Sequence, residues 1–253
     1  MEAELVLEHF LKRGDKKRDV KRVQEWLCLN KFWTPIDGIF GPATEAQVNS
    51  FQSHHSLEMT GVVDDKTWKL LTSPMQRALF YPRTVYTNER SRFSQMIVKI
   101  ALSHLAENPR VIGGENVGPW VRLYTKGKEG GTWGTSAISF ILQAAGNLQV
   151  SSPIPYLQSC DLIAGKAREF GLLFSLPDRK GKNQKEEKAK IHSGDLFLVR
   201  KSEGTWSSVG IILQVGRDSF EAVEGNSVEL CKTVRSLEKK DFVLLSALDQ
   251  VSG

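Results

Sequence analysis

The chain holds few cysteines and histidines, and their spacing narrows the chemistry. Three cysteines occur, Cys28, Cys160 and Cys231. No CxxC pair joins them and their number is odd, so neither a disulfide framework nor a cysteine zinc site is indicated. Chemistry from a single reactive thiolate stays open. Of five histidines, His192 stands three residues before Asp195 at an expected loop end, His54 and His55 fall in the first domain, and His104 falls on the leading helix of the second. The hydroxyls of Thr135, Ser136 and Ser208 are poor nucleophiles without a neighbouring base. The sequence calls for no cofactor and no metal.

These groups must be positioned by elements, and composition bounds how many there are. The 253 residues are 40% hydrophobic, 9% aromatic and 25% charged, enough to bury two cores and incompatible with wholesale disorder. Lys plus Arg number 34 against 29 Asp plus Glu, a formal +5. That excess is too mild to argue for nucleic acid, yet it admits an anionic polymer as partner. The opening residues lack a basic segment followed by an apolar core, so no secretory signal is expected. No apolar run is long enough to span a membrane. Location is therefore left open between the cytoplasm and a cell wall reached by lysis or a secretion device.

Residues 74–95 mix Pro, Arg, Asn and Thr without a clean period and read as a linker. It would separate a first domain, 1–73, from a second, 96–253. Within the second, 177–190 is basic and nearly devoid of apolar residues, and reads as a solvated loop. In the first domain, Asp37-Gly38-Ile39-Phe40-Gly41-Pro42-Ala43-Thr44 is echoed by Thr60-Gly61-Val62-Val63-Asp64-Asp65-Lys66-Thr67. Each copy is a turn glycine, two apolar residues and a helix start, with Pro42 suited to the first helical position and Asp64 to a cap. An earlier helix begins near Asp19 and buries Val20, Val23, Trp26 and Leu27. The second buries Ala43, Ala46, Val48 and Phe51, and the third Trp68, Leu70 and Leu71. The fold class expected is α+β overall: a small three-helix domain, then an α+β domain with an antiparallel sheet. In the latter, Ala137, Ile138, Ile141, Leu142 and Ala145 line one helical face, and strands fall at 194–199, 209–215, 219–223 and 242–248.

The order Arg13-Gly14-Asp15, Asp19 to Gln24, Asp37 to Thr44, Val48, Phe51-Gln52, Leu57, Gly61 to Val63 and Thr67-Trp68 resembles the three-helix peptidoglycan-binding domain of cell-wall enzymes. The resemblance covers residues 11–72 and implies peptidoglycan glycan or stem peptide as partner. It points to the two glycine turns as the contact region, with Asp37, Gln52, Gly61 and Trp68 as candidates, although core packing is the preferred role for Trp68.

The second domain resembles the papain-like cell-wall peptidases of the CHAP and NlpC type. Glu115 to Val121, the helix opened by Trp133 and closed by Ala144-Ala145-Gly146, Gly194-Asp195-Leu196, Ser208 to Ile211 and Glu224-Gly225-Asn226 fall in that family's order. The resemblance implies a papain-like fold with a cysteine after the tryptophan, a histidine before the Val-Gly-Ile strand and a third polar residue. Those positions hold Gly134, Ser208 and either Glu224 or Asn226. With nucleophile and base both replaced, a catalytically degenerate domain is expected. An open groove around Trp133, Gly134, Ser208 and Asn226 is expected to be left for a peptide carboxylate or a protein partner. Restoring Gly134→Cys and Ser208→His would then return activity if the groove survives. An active amidase or endopeptidase with a non-standard or experimentally altered site, and an anchoring part of a phage particle or secretion device, are the alternatives.

Overall fold

The computed structural model describes residues 2–16, 18–85, 93–146, 152–176 and 184–250. In chain order the elements are α1 (Arg18–Leu29), α2 (Pro42–His54), α3 (Asp65–Leu71), α4 (Ser73–Val85), α5 (Phe93–Ala106), α6 (Pro119–Tyr124), α7 (Gly134–Gly146) and α8 (Cys160–Glu169). There follow β1 (Leu173–Ser175), α9 (Gln184–Lys188), β2 (Leu196–Ser202), β3 (Thr205–Val215), β4 (Ser219–Gly225), β5 (Leu230–Ser236) and β6 (Lys240–Val243). Short 3-10 helices lie at Glu2–Glu4 and Leu245–Gln250. The chain divides into two compact units, Met1–Arg77 with Arg110–Gly131, and Ala78–Pro109 with Thr132–Gly253. This division differs from the expected boundaries. The stretch read as a linker forms α4 up to Val85, while 86–92 lie outside the described residues. Arg110–Gly131, expected in the second domain, belongs to the first unit.

The first unit forms around apolar residues at helical spacing. Val20, Val23, Trp26 and Leu27 of α1 are completely buried, as are Val48 and Phe51 of α2 and Leu71 of α3. Pro42 opens α2 and the Asp64 carboxylate caps α3 by accepting from the Thr67 N–H at 2.8 Å. Ala43 and Ala46 are exposed, contrary to expectation, and α2 instead turns Thr44 and Gln52 inward. The segment before α1 crosses both glycine turns, making antiparallel bridges Leu11↔Val63 and Lys16↔Ile39.

The second unit is an antiparallel sheet of order β1-β6-β2-β3-β4-β5 with α5, α7 and α8 packed on it. Ala137, Ile138, Ile141, Leu142 and Ala145 of α7 are fully buried, as their spacing predicts. A cluster of Phe197, Phe220 and Phe242 with Ile191, Ile212, Ala222 and Leu237 forms part of the core. Two strands went unforeseen: β1 has three residues, and β5 (LCKTVRS) alternates with polar residues. The strand expected over 242–248 ends at Val243, and the chain turns into the last 3-10 helix. Of the basic loop, 177–183 lie outside the described residues and α9 follows.

Candidate functional site

In the second unit Gly134, the residue at which the resemblance implies a nucleophile, lies at the start of α7, against the end of β4. A Cβ on Gly134 would overlap the Gly225 carbonyl oxygen and lie 2.9 Å from its carbon. Conversely, a Cβ on Gly225 would stand 2.6 Å from Gly134 Cα. The two backbones touch because neither residue has a side chain, and the Gly225 carbonyl fills the place where a side chain at 134 would hang. The open niche expected at Gly134 is therefore corrected to a closed one.

The other expected groove residues are held in structural roles. Ser208 on β3 donates to Glu224 Oε2 at 3.2 Å. Glu224 is buried on β4 and its Oε1 accepts from Arg235 Nε and Nη2 at 2.9 and 2.6 Å, an ion pair from β5. Asn226 shapes the turn between β4 and β5: its Oδ1 accepts from the N–H groups of Val228 and Glu229 at 2.6 and 2.7 Å. Trp133 is 1% exposed, so it offers no face to a ligand.

No thiol is poised to react. Cys160 is buried at the start of α8, its Sγ 3.3 Å from Thr135 Oγ1. Burial pushes this thiol up, and the neighbouring Thr135 hydroxyl only partly opposes it. Burial also raises Cys28 and Cys231, the latter with help from Glu224 and Glu229. Among the described residues no sulfur has an imidazole partner. His192 uses Nδ1 on the Lys190 carbonyl at 2.9 Å, while Asp195 accepts from backbone N–H groups of His192 and Ser246. No group of three or more His, Cys, Asp or Glu among the described residues could hold a metal ion.

The first unit has a different logic: its two glycine turns are each held by one buried glutamine. Gln24 donates from Nε2 to Asp37 Oδ1 (2.9 Å), the Ile39 carbonyl (3.1 Å) and Thr44 Oγ1 (3.1 Å). Its Oε1 accepts from the N–H groups of Asp37 and Gly38 at 3.1 and 2.8 Å. Gln52 repeats the arrangement at the second turn. It donates to Thr60 Oγ1 (3.2 Å), the Val62 carbonyl (2.8 Å) and Thr67 Oγ1 (3.1 Å), and accepts from the Gly61 N–H at 3.1 Å. Gly38 and Gly61 take φ of 75° and 65°, in the left-handed region that favours glycine.

This geometry sorts the first-unit candidates. Gln52 is 1% exposed with its amide engaged, and Gly61 is buried, so both are scaffold rather than contact residues. Trp68 is also core: its indole N–H donates to the Leu5 carbonyl at 2.9 Å and the Arg22 guanidinium lies 5.0 Å above the ring. Asp37 alone is exposed. The Ile39 N–H and the Gln24 amide hold its carboxyl below the usual range. Residues 16–71 match the family model of the peptidoglycan binding domain. No curated protein matches the chain.

The matched region contains a residue that sequence reasoning passed over. Trp33, in the loop between α1 and α2, is 68% exposed. The signal was available: it is a tryptophan outside any periodic apolar pattern, in a loop beside Thr34 and Pro35. Ile39, 45% exposed, lies on the same loop at the turn.

Proposed function

We propose that this chain binds cell-wall peptidoglycan through its first unit and that its second unit is a papain-like, peptidase-type domain without catalytic activity. The first half of this reading rests on the family match over 16–71. The second rests on the resemblance of its motifs to the CHAP and NlpC type, together with helices α5, α7 and α8 packed on an antiparallel sheet.

The closure at Gly134 is the observation that carries the loss of activity. A cysteine mechanism needs a thiolate at the helix start, made acidic by the positive helix end and an imidazole. Here the Gly225 backbone occupies the thiol's place, and the expected base position is a serine bonded to a carboxylate that is already paired with Arg235. Removal of a nucleophile alone costs on the order of a millionfold in a studied protease. The fold then serves as a body carried by the wall-binding unit.

Incubation of the full chain with purified sacculi tests both halves, with sedimented protein and released soluble fragments read from the same tube. Co-sedimentation without release is expected. Release of fragments overturns the non-catalytic reading, and failure to sediment overturns the wall-binding one.

A further inference from the structure

We propose that the loop joining α1 and α2 is the glycan contact of the first unit, with the exposed face of Trp33 stacking on an amino-sugar ring of the peptidoglycan strand and with Ile39 and Asp37 of the same loop contributing to the contact. The inference rests on the wall-binding reading and deepens it by naming the surface and the part of the polymer it takes.

An exposed tryptophan leaves a large apolar surface in water, and folding gains nothing from it. Isolated exposed apolar residues are ordinary, and Val6, Phe10 and Met59 of the same unit are examples. Trp33 differs in its mounting. On one side, the Phe32 N–H donates to the Leu27 carbonyl at 2.8 Å and the Phe32 ring packs edge-on against Phe51 at 5.3 Å. On the other, the Thr34 carbonyl accepts from Cys28 Sγ at 3.3 Å, and Thr34 Oγ1 meets Thr44 Oγ1 at 3.2 Å. The Gln24 network then fixes the turn that bears Asp37 and Ile39. A rigid frame around an outward indole loses little entropy on binding, which favours a contact residue.

The chemistry selects the sugar over the stem peptide. The C–H face of a pyranose ring is apolar and faintly positive, matching the negative face of an indole. The Asp37 carboxylate spends Oδ1 on Gln24 and the Ile39 N–H, and Oδ2 has no partner among the described residues. That oxygen can accept from a sugar hydroxyl or acetamido N–H, whereas it repels the free carboxylates of a stem peptide.

The test uses the full chain and three probes: intact sacculi, glycan strands stripped of their peptides, and soluble stem peptide. Trp33→Ala is expected to weaken retention on sacculi and stripped glycan at least tenfold, Trp33→Phe to restore most of it, and Met59→Ala to leave it unchanged. Equal urea midpoints for the wild type and Trp33→Ala would separate lost contact from lost folding. Undiminished binding by Trp33→Ala overturns the proposal, as does wild-type capture by stem peptide but not by stripped glycan; both outcomes leave wall binding standing. A wild type that ignores sacculi altogether removes the underlying reading and this one with it.

Discussion

At the residue scale, the missing Cβ of Gly134 lets the start of α7 rest on the end of β4. The Cβ of any side chain at 134 collides with backbone rather than with a flexible side-chain end, so relief requires α7 or the end of β4 to move. Gly134→Ala and Gly134→Cys should therefore be destabilising to nearly the same extent, about 3 kcal/mol, a heavy overpacking penalty. Urea unfolding measures it, and Gly134→Cys with Ser208→His should release no fragments from sacculi. The motif order alone suggests the opposite, that the pair would return activity, because a sequence shows the glycine at 134 but not the backbone that lies against it. A second single-residue effect concerns His104 on α5, which is fully buried with its ring 5.8 Å from that of Phe140 on α7. Burial pushes its pKa down to about 3. The unfolded chain takes up this proton near pH 6.5 and the folded one does not, so protons favour unfolding and stability falls as pH drops below 6.5. The loss amounts to about 1.4 kcal/mol per pH unit between pH 6 and 4. His104→Leu should flatten that slope by one proton in denaturation curves recorded at both pH values, whatever it does to stability at pH 7.

At the element scale, the first unit is a pair of turn-and-helix modules, each nailed down by an amide. Gln24→Ala and Gln52→Ala each leave a turn N–H, that of Gly38 or Gly61, without its acceptor, and each should cost about 3 kcal/mol in thermal or urea unfolding. The consequences for binding should differ. Gln24 holds the loop bearing Trp33 and Gln52 does not, so at temperatures where both variants are folded, only Gln24→Ala should weaken retention on stripped glycan. The echo between DGIFGPAT and TGVVDDKT was legible because both copies obey the same turn and cap chemistry, and Pro42 and Asp64 do what their types require. Apolar spacing likewise located α1 and α7. The braces were not legible: Gln24 and Gln52 come from different helices, do not follow the spacing of the turns they hold, and have a polarity that suggests a ligand contact instead. β5 escaped for a related reason, since an edge strand with one solvated face carries as many polar residues as a loop. The contact between Gly134 and Gly225 joins two residues that contribute nothing to any hydrophobic pattern.

At the scale of the whole molecule, the wall-binding unit is built from two separated stretches of chain. Arg122 of α6 is 5% exposed and is gripped by Glu4 (2.6 Å from Nε), Glu25 (2.7 Å from Nη2) and Glu129 (2.6 Å from Nη1). Burial works against its charge, but Glu4 and Glu25 more than offset this and hold the guanidinium's pKa above its ordinary value. Glu25 is completely buried on α1; burial raises its carboxyl, and the Arg122 guanidinium opposes that rise. Beside the ion pair, Trp120 packs edge-on against Trp26 at 6.3 Å and stacks with Tyr124. The family match ends at residue 71, so a fragment cut at residue 77 would contain all of it and yet lose α6, exposing Trp26 and stranding Glu25. Arg122→Ala in the full chain imitates that loss without cutting it. It leaves the buried Glu25 carboxylate facing Glu4 and Glu129 with no countercharge from α6, and the first unit should lose about 3–5 kcal/mol, the usual penalty for breaking a buried pair from one side. Replacing the buried pair, Arg122→Met with Glu25→Met, removes the one fully buried carboxylate together with the guanidinium, leaves only the more exposed Glu4 and Glu129, and should recover much of that loss. Hydrogen exchange of the α1 and α2 amides reads the stability of this unit separately from the sheet. Equal protection in the wild type and Arg122→Ala would mean that residues 110–131 merely lie against the first unit, whereas a loss confined to the single variant would make them part of its fold.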